Sequence, residues 1–142
     1  MHFSLSNSAL DLSTHISRVS DPECGAISTF IGTVRNSFQG QRVLYLDYSA
    51  YEKMATKEIN KIFSEIQSKY PRVKHISVEH RLGIVSSGEA SIIIATSAPD
   101  RSSSIQATTY LIENIKSRVP IWKKEVGEGW ESWKANTEWV IN

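Results

Sequence analysis

Ala90-Ser91-Ile92-Ile93-Ile94-Ala95-Thr96-Ser97 is followed, after Ala98-Pro99-Asp100, by the long segment Arg101–Arg118. Three consecutive isoleucines in a short run rich in β-branched residues predict a strand buried on both faces. The segment behind it predicts a helix that carries Ile105, Leu111, Ile112 and Ile115 inward. That helix should end by Val119, because the residue before Pro120 is disfavoured in the helical region. A strand with two covered faces needs layers on both sides, so the neighbouring segments must supply them.

Working outward, Val73–Arg81 reads as a strand and Ser86-Ser87-Gly88 as a turn leading into the isoleucine run. Tyr51–Lys69 is the clearest amphipathic helix, with Ala55, Ile59, Ile62, Phe63 and Ile66 on one stripe and Pro71 after its end. Gly25–Val34 reads as a strand with Ile27, Thr29, Ile31 and Thr33 on one face and Ala26, Ser28, Phe30 and Val34 on the other. Gly32 inside it points to a bulge or a close approach. Asn36–Gln41 reads as a loop and Arg42–Tyr48 as a second strand, able to pair with the first as an antiparallel hairpin. Residues 6–19 read as a short helix stopped at Asp21-Pro22. The order β-β-α-β-β-α defines an α+β domain. The last segment, from 121 onward, holds all four tryptophans, Trp122, Trp130, Trp133 and Trp139. So much aromatic surface predicts a tail packed on the domain or at an interface.

The chain has 142 residues, 40% hydrophobic and 22% charged. That length and balance predict one folded domain spanning 1–142. A net charge of +1 provides no overall field towards nucleic acid or membrane, so any anion recognition must be local. The single cysteine, Cys24, forms no internal disulfide and has no histidine near it in sequence. His75 and His80 are five apart on a predicted strand and face opposite ways, a poor metal pair. No metal site is expected. No apolar run approaches the ~20 residues of a membrane span, and the N-terminal residues lack a secretory pattern. A reduced, cytoplasmic setting is the expectation.

Three places offer chemistry. Lys116-Ser-Arg-Val-Pro-Ile-Trp-Lys-Lys-Glu125 gathers four cations, a proline and an indole at a helix end. The proline lets the chain turn, so Lys116 and Lys123 can face one pocket, and crowded cations lower one another's pKa towards useful acid–base chemistry. On spacing alone, the commoner reading is that these cations complement the helix dipole. Asp100-Arg101-Ser102-Ser103-Ser104 joins free backbone N–H groups, a guanidinium and hydroxyls, which suits a phosphate or carboxylate; an ordinary N-cap is the plainer alternative. Arg35 ends a strand beside a loop, a frequent place for a binding residue, though from this segment alone a solvated strand-end arginine is the commoner reading.

Taken together, five ordered segments resemble the large, catalytic subunit of molybdopterin synthase. They are Gly25-Ala26 leading to Phe30-Ile31-Gly32-Thr33-Val34-Arg35-Asn36; Tyr48-Ser49-Ala50-Tyr51-Glu52-Lys53-Met54-Ala55; His80-Arg81-Leu82-Gly83; Arg101-Ser102-Ser103; and Val119-Pro120-Ile121-Trp122-Lys123-Lys124-Glu125. The resemblance runs from about Gly25 to Lys134. It implies an α/β hammerhead fold with additional antiparallel strands. It also implies a sulfurtransferase that turns cyclic pyranopterin monophosphate into the molybdopterin dithiolene. The sulfur would arrive as a thiocarboxylate on the Gly-Gly tail of a small ubiquitin-like partner, and two large subunits would form a homodimer with a small subunit at each end. No resident cofactor is implied, since the pterin is substrate.

By position, the resemblance makes Lys116 and Lys123 the catalytic lysines, Lys116 chiefly. Substrate binding would fall to Thr33, Val34, Arg35, Asp100, Arg101, Lys116, Lys123, Lys124 and Glu125, and Phe30 would line the tail's channel. The family's usual histidine before the helix-start arginine is Asp100 here, a basic residue common in bacterial members is Thr33, and a usual glutamate is Ser49. Asp100 motivates an alternative, a scaffold that docks the partner without turnover. A nucleic-acid module built on the basic, aromatic tail is a third reading, opposed by the near-zero net charge and by Glu125, Glu128, Glu131 and Glu138.

Overall fold

The computed structural model describes residues 1–135. Trp139, part of the aromatic tail, lies outside them. The isoleucine run forms β8 (Ala90–Ala98), buried along nearly its whole length as its composition requires. It is flanked by β6 (His75–Arg81) and β2 (Ala26–Thr33), and β1 (His2–Ser6) completes a four-stranded sheet in the order β1-β6-β8-β2. Only the β1–β6 pair is parallel. One face of this sheet is covered by α3 (Arg101–Arg118), packed on β8 and β2, and the other by α1 (Leu12–Val19), packed on β8 and β6. That double cover is why β8 reads as continuously apolar. On the outer face of the edge strand β2, Ile27 and Ile31 stay exposed, while Phe30 packs inward.

A second antiparallel sheet has the order β10-β9-β5-β7, made of β5 (Tyr45–Ala50), β7 (Gly83–Ser86), β9 (Ile121–Gly127) and β10 (Trp130–Ala135). The chain passes from the first sheet to the second at Gly83, whose φ of +80° suits glycine. The helix α2 (Glu52–Lys69) supplies Ala55, Ile59, Ile62, Phe63 and Ile66 to the core, the stripe expected from its periodicity. It is tied to α3 by Arg118, whose guanidinium donates to Glu58 at 2.9 Å and to Glu65 at 2.7 and 2.9 Å. This fork holds the Glu65 carboxyl down at about 2.

Four expectations change. Residues 6–19 are not one helix: His2–Ser6 is a strand, and α1 starts at Leu12 behind the N-cap Asp11, which accepts from Ser13 N–H. Asn36–Gln41 is not a plain loop, because Ser37–Phe38 (β3) and Gln41–Arg42 (β4) form a small hairpin. The strand after it does not pair with β2. It pairs with β7 and β9 in the second sheet, so a partner distant in sequence replaces the adjacent one. Ile105 points outward. The inward face of α3 is instead Ser104, Ala107, Thr108, Leu111 and Ile115. Its two hydroxyl residues are buried at no cost in unpaired groups: Thr96 Oγ1 meets Ser104 Oγ at 3.0 Å and Thr108 Oγ1 at 2.9 Å.

Among the described residues, 121–135 form β9 and β10, paired with each other and, through β9, with β5. Trp130 packs against the core, its indole lying where a side chain on Gly127 would sit. Trp133 faces out beneath the Lys124 ammonium, 5.5 Å from the ring centroid.

Gly32 fulfils its expectation. The β2–β8 register shifts between Gly32 and Thr33, and a Cβ at Gly32 would lie 2.8 Å from Ile92 Cγ2. Gly32→Ala should therefore destabilise the chain by about 1–3 kcal/mol, read as a lower midpoint in chemical denaturation. An unchanged midpoint would mean that Ile92 yields freely.

Candidate functional site

Eight elements converge on one cavity of about 600 Å³ between the two sheets, a size suited to a small-molecule ligand. Each contribution follows from local structure. The last turn of α3 carries Lys116, and the break at Val119-Pro120 starts β9, where alternation puts Lys123 and Glu125 on the cavity side. Lys123 lies opposite Tyr48 of β5 and opposite Lys134 of β10 in the strand registers. The end of β2 brings Phe30, Thr33, Val34 and Arg35; β6 brings His80; β8 brings Ser91; the β3–β4 hairpin brings Phe38.

The cavity is strongly cationic. Lys116, Lys123, Lys134 and Arg35 line it against the single carboxylate of Glu125. Glu125 is only 4% exposed and accepts an ion-paired hydrogen bond from Lys134 Nζ at 2.8 Å. The Phe38 ring takes a cation on each of two contacts, Lys134 Nζ at 4.0 Å and the Arg35 guanidinium at 5.4 Å. Burial lowers the Lys123 pKa. Glu125 opposes that shift, and Lys116, Lys134 and Arg35 reinforce it. Among the described residues, neither Lys116 nor Lys123 has an ion-pair partner within the protein, so both ammonium groups are free for a ligand. A second cavity of about 340 Å³ adjoins the first and shares Phe30 and Lys116 with it. Lys116 thus stands where the two meet.

The structure gathers Phe30, Thr33, Val34, Arg35, Lys116, Lys123 and Glu125 in one place, as the sequence analysis expects. Three expected binding residues lie elsewhere in this chain. Lys124 alternates to the opposite face of β9, over Trp133 and 3.7 Å from Glu131. Asp100 and Arg101 sit at the start of α3, and Lys116 near its end is about 22 Å of helix away. Asp100 is the N-cap: its carboxylate accepts from Ser103 N–H and Oγ, each at 3.0 Å, and pairs with Arg72 at 3.3 Å.

These contacts hold Asp100 below the ordinary carboxylate range, the Ser103 backbone bond foremost. A lowered folded-state pKa means stability that is present above the unfolded pKa and lost as pH falls through the folded one. Asp100→Ala should therefore lower Tm at neutral pH and leave a smaller difference from the parent in acid. An equal Tm difference at both pH values would contradict this capping role.

Sequence reasoning missed His80, Tyr48, Phe38 and Lys134 as cavity residues. His80 and Tyr48 did fall in segments that carry the resemblance; Phe38 and Lys134 had no such signal. Among the described residues no group of three or more His, Cys, Asp or Glu side chains is placed to hold a metal. No helix among them is long and apolar enough to cross a membrane.

Fold and site together define an α+β domain with a cationic cavity built for a small anionic ligand. Comparison with known proteins makes this specific. The family model described as MoaE protein matches residues 5–118. A molybdopterin synthase catalytic subunit from Taeniopygia guttata is 52% identical over 120 residues, 84% of this chain and 77% of that protein. One from Drosophila pseudoobscura pseudoobscura is 51% identical over 139 residues, 96% of this chain but 38% of that protein, so the chain spans well under half of that relative's length. Among solved structures, molybdopterin synthase from Staphylococcus aureus superposes with a TM-score of 0.87 at 34% identity, covering 92% of this chain and 94% of that one. The chain belongs to the molybdopterin synthase catalytic-subunit family.

Proposed function

We propose that the chain is a sulfurtransferase that moves sulfur from the thiocarboxylated Gly-Gly tail of a small ubiquitin-like partner to cyclic pyranopterin monophosphate, building the molybdopterin dithiolene. The observation that carries this reading is Lys116 at the junction of two cavities. The larger, cationic cavity suits the pterin phosphate, and the smaller one, floored by Phe30 and Ile112, suits a narrow glycine tail. The two anions then meet at one ammonium group.

Each transfer exchanges sulfur for oxygen. The thiocarboxylate sulfur attacks a side-chain carbon of the pterin and displaces its oxygen, from one carbon as water, which needs a proton, and from the other as the ester oxygen of the cyclic phosphate, whose ring opens to a monophosphate. Water then cleaves the resulting thioester, leaving a carboxylate on the partner and a thiol on the substrate. No oxidant or reductant is consumed. The resemblance gives the proton chiefly to Lys116, with Lys123 assisting; we assign it instead to Lys123, whose pKa is lowered by burial and neighbouring cations. Lys116, more exposed and at the junction, is suited to hold the thiocarboxylate and the developing charge. Arg35, at the cavity rim, is suited to the phosphate.

Self-association fits the same reading. Arg101 and Lys116 are too far apart to act on one ligand from one chain, so Arg101 would serve a pocket only in a second copy. Asp100 has a structural occupation as cap and gives no ground for a docking scaffold without turnover.

The test is a single-turnover mixture of this chain, thiocarboxylated partner and pterin precursor, followed by mass analysis of the partner. Conversion of its thiocarboxylate to carboxylate only when precursor is present supports the reading. A partner that keeps its sulfur, or loses it equally without precursor, contradicts it.

A further inference from the structure

His80 is a buried titratable group of the cavity with no part in the chemistry above. It is 2% exposed and lies on β6, with its ring edge-on to Tyr48 at a centroid distance of 4.7 Å. Tyr48 lies opposite Lys123 in the β5–β9 register, so Lys123, Tyr48 and His80 form a continuous floor across both sheets. His80 Nδ1 lies 2.8 Å from the Arg81 carbonyl oxygen. A carbonyl only accepts, so Nδ1 carries the proton and the neutral ring offers its lone pair at Nε2. Among the described residues the side-chain hydrogen bond His80 makes is the one at Nδ1, and neither its Nε2 nor the Lys123 ammonium is paired with another group. An unused acceptor and an unused donor thus share one floor, and the lysine's four-carbon stem lets its head move.

We propose that His80 is a positioning residue for Lys123: its Nε2 accepts a hydrogen bond from the Lys123 ammonium and sets where that ammonium delivers its proton. The proposal rests on the sulfur-transfer reading for its purpose, but not for its geometry. Burial, with Lys123 adding to it, holds His80 at about 4, so the ring is a neutral acceptor at physiological pH. The other charged groups acting on Lys123 are Glu125 on its own strand, Lys116 from α3, Lys134 from β10 and Arg35 beyond β2. Of these only Glu125 is an acceptor, and it is engaged by Lys134. The Tyr48 hydroxyl on the same floor is taken up with Ser91, so His80 Nε2 is a neutral acceptor available to orient the lysine.

The test is an NMR titration of the Lys123 side chain in isotopically labelled protein, in the parent, in His80→Asn and in His80→Gln. Asparagine keeps a donor for the Arg81 carbonyl but offers nothing at the Nε2 position; glutamine places an acceptor there. A hydrogen bond to the ammonium favours the charged lysine, so its loss lowers the pKa. His80→Asn should lower the Lys123 midpoint by about one unit, the scale of a lost charge-assisted hydrogen bond, and His80→Gln should restore most of it. The alkaline limb of turnover should move with the midpoint, kcat falling while KM holds. Equal Lys123 midpoints in the parent and in His80→Asn would overturn the proposal. Should neither variant fold, the parent decides: the His80 Nε2 nitrogen resonance should move as Lys123 loses its proton, and a static resonance overturns the proposal. A parent that shows this coupling yet transfers no sulfur leaves the positioning intact and removes the sulfur-transfer reading instead.

Discussion

Lys116→Ala should cut single-turnover sulfur transfer by about 10²–10⁴-fold while the protein stays folded and still binds its partner. The expected size follows from the lysine's place. Lys116 lines both cavities, and its ammonium has no ion-pair partner among the described residues. It therefore contributes little to the folded state, where exposed substitutions of this kind usually shift stability by within ~0.5 kcal/mol. It contributes most where the thiocarboxylate and the pterin phosphate meet. Removing it leaves two anions to approach each other without a cation between them. The contrast with Arg118, two residues on, is instructive. Arg118 is spent on Glu58 and Glu65 and fastens α3 to α2. Activity within about twofold of the parent would amount to a few tenths of a kcal/mol and would remove Lys116 from the chemistry.

Lys123→Ala should cause a loss of similar scale but of a different kind, and the pH profile separates the two. Burial and three neighbouring cations lower the Lys123 pKa from the ordinary lysine value. A group that donates a proton acts below its pKa, so turnover should fall as pH rises through the lowered value. Lys123→Arg keeps a cation that stays protonated throughout this range. In that variant substrate binding should persist, turnover should be low, and the alkaline fall should be absent. Lys116→Ala should keep the alkaline fall on its reduced rate. If Lys123→Arg retains the same alkaline limb as the parent, another group is the acid.

Much of the architecture was legible because periodicity and burial agree. The α2 stripe, the end of α3 at Val119 and the doubly buried β8 follow from residue spacing and from Pro120. What was not legible is non-local. Nothing near Tyr45–Ala50 says that its partners are β7 and the distant β9, because pairing is set by which strand edges tertiary packing brings together. Ile105 misled because apolar spacing assumes an apolar inward face. In α3 the inward face carries Ser104 and Thr108, made tolerable by Thr96.

At the site, the lysine pair was readable from the basic helix end, and its shared cavity follows from the Pro120 turn. The separation of Lys124 from Lys123 was readable in principle, since neighbours on a strand face opposite ways, once the tail is known to be a strand. His80 was hidden. It falls in a segment that carries the resemblance, but strand spacing gives it no role, and only the packing of β6 against Tyr48 shows that it closes the cavity floor.

Exchange of sulfur for oxygen between pterin and thiocarboxylate in this cavity can be followed on the pterin itself. Purified chain, excess thiocarboxylated partner and cyclic pyranopterin monophosphate are combined, and the pterin product is identified by mass. The expected product carries two added sulfurs, forms with two partner carboxylates for each pterin and is absent when the chain is omitted. An unchanged precursor in the presence of a stable complex with the partner would contradict this exchange.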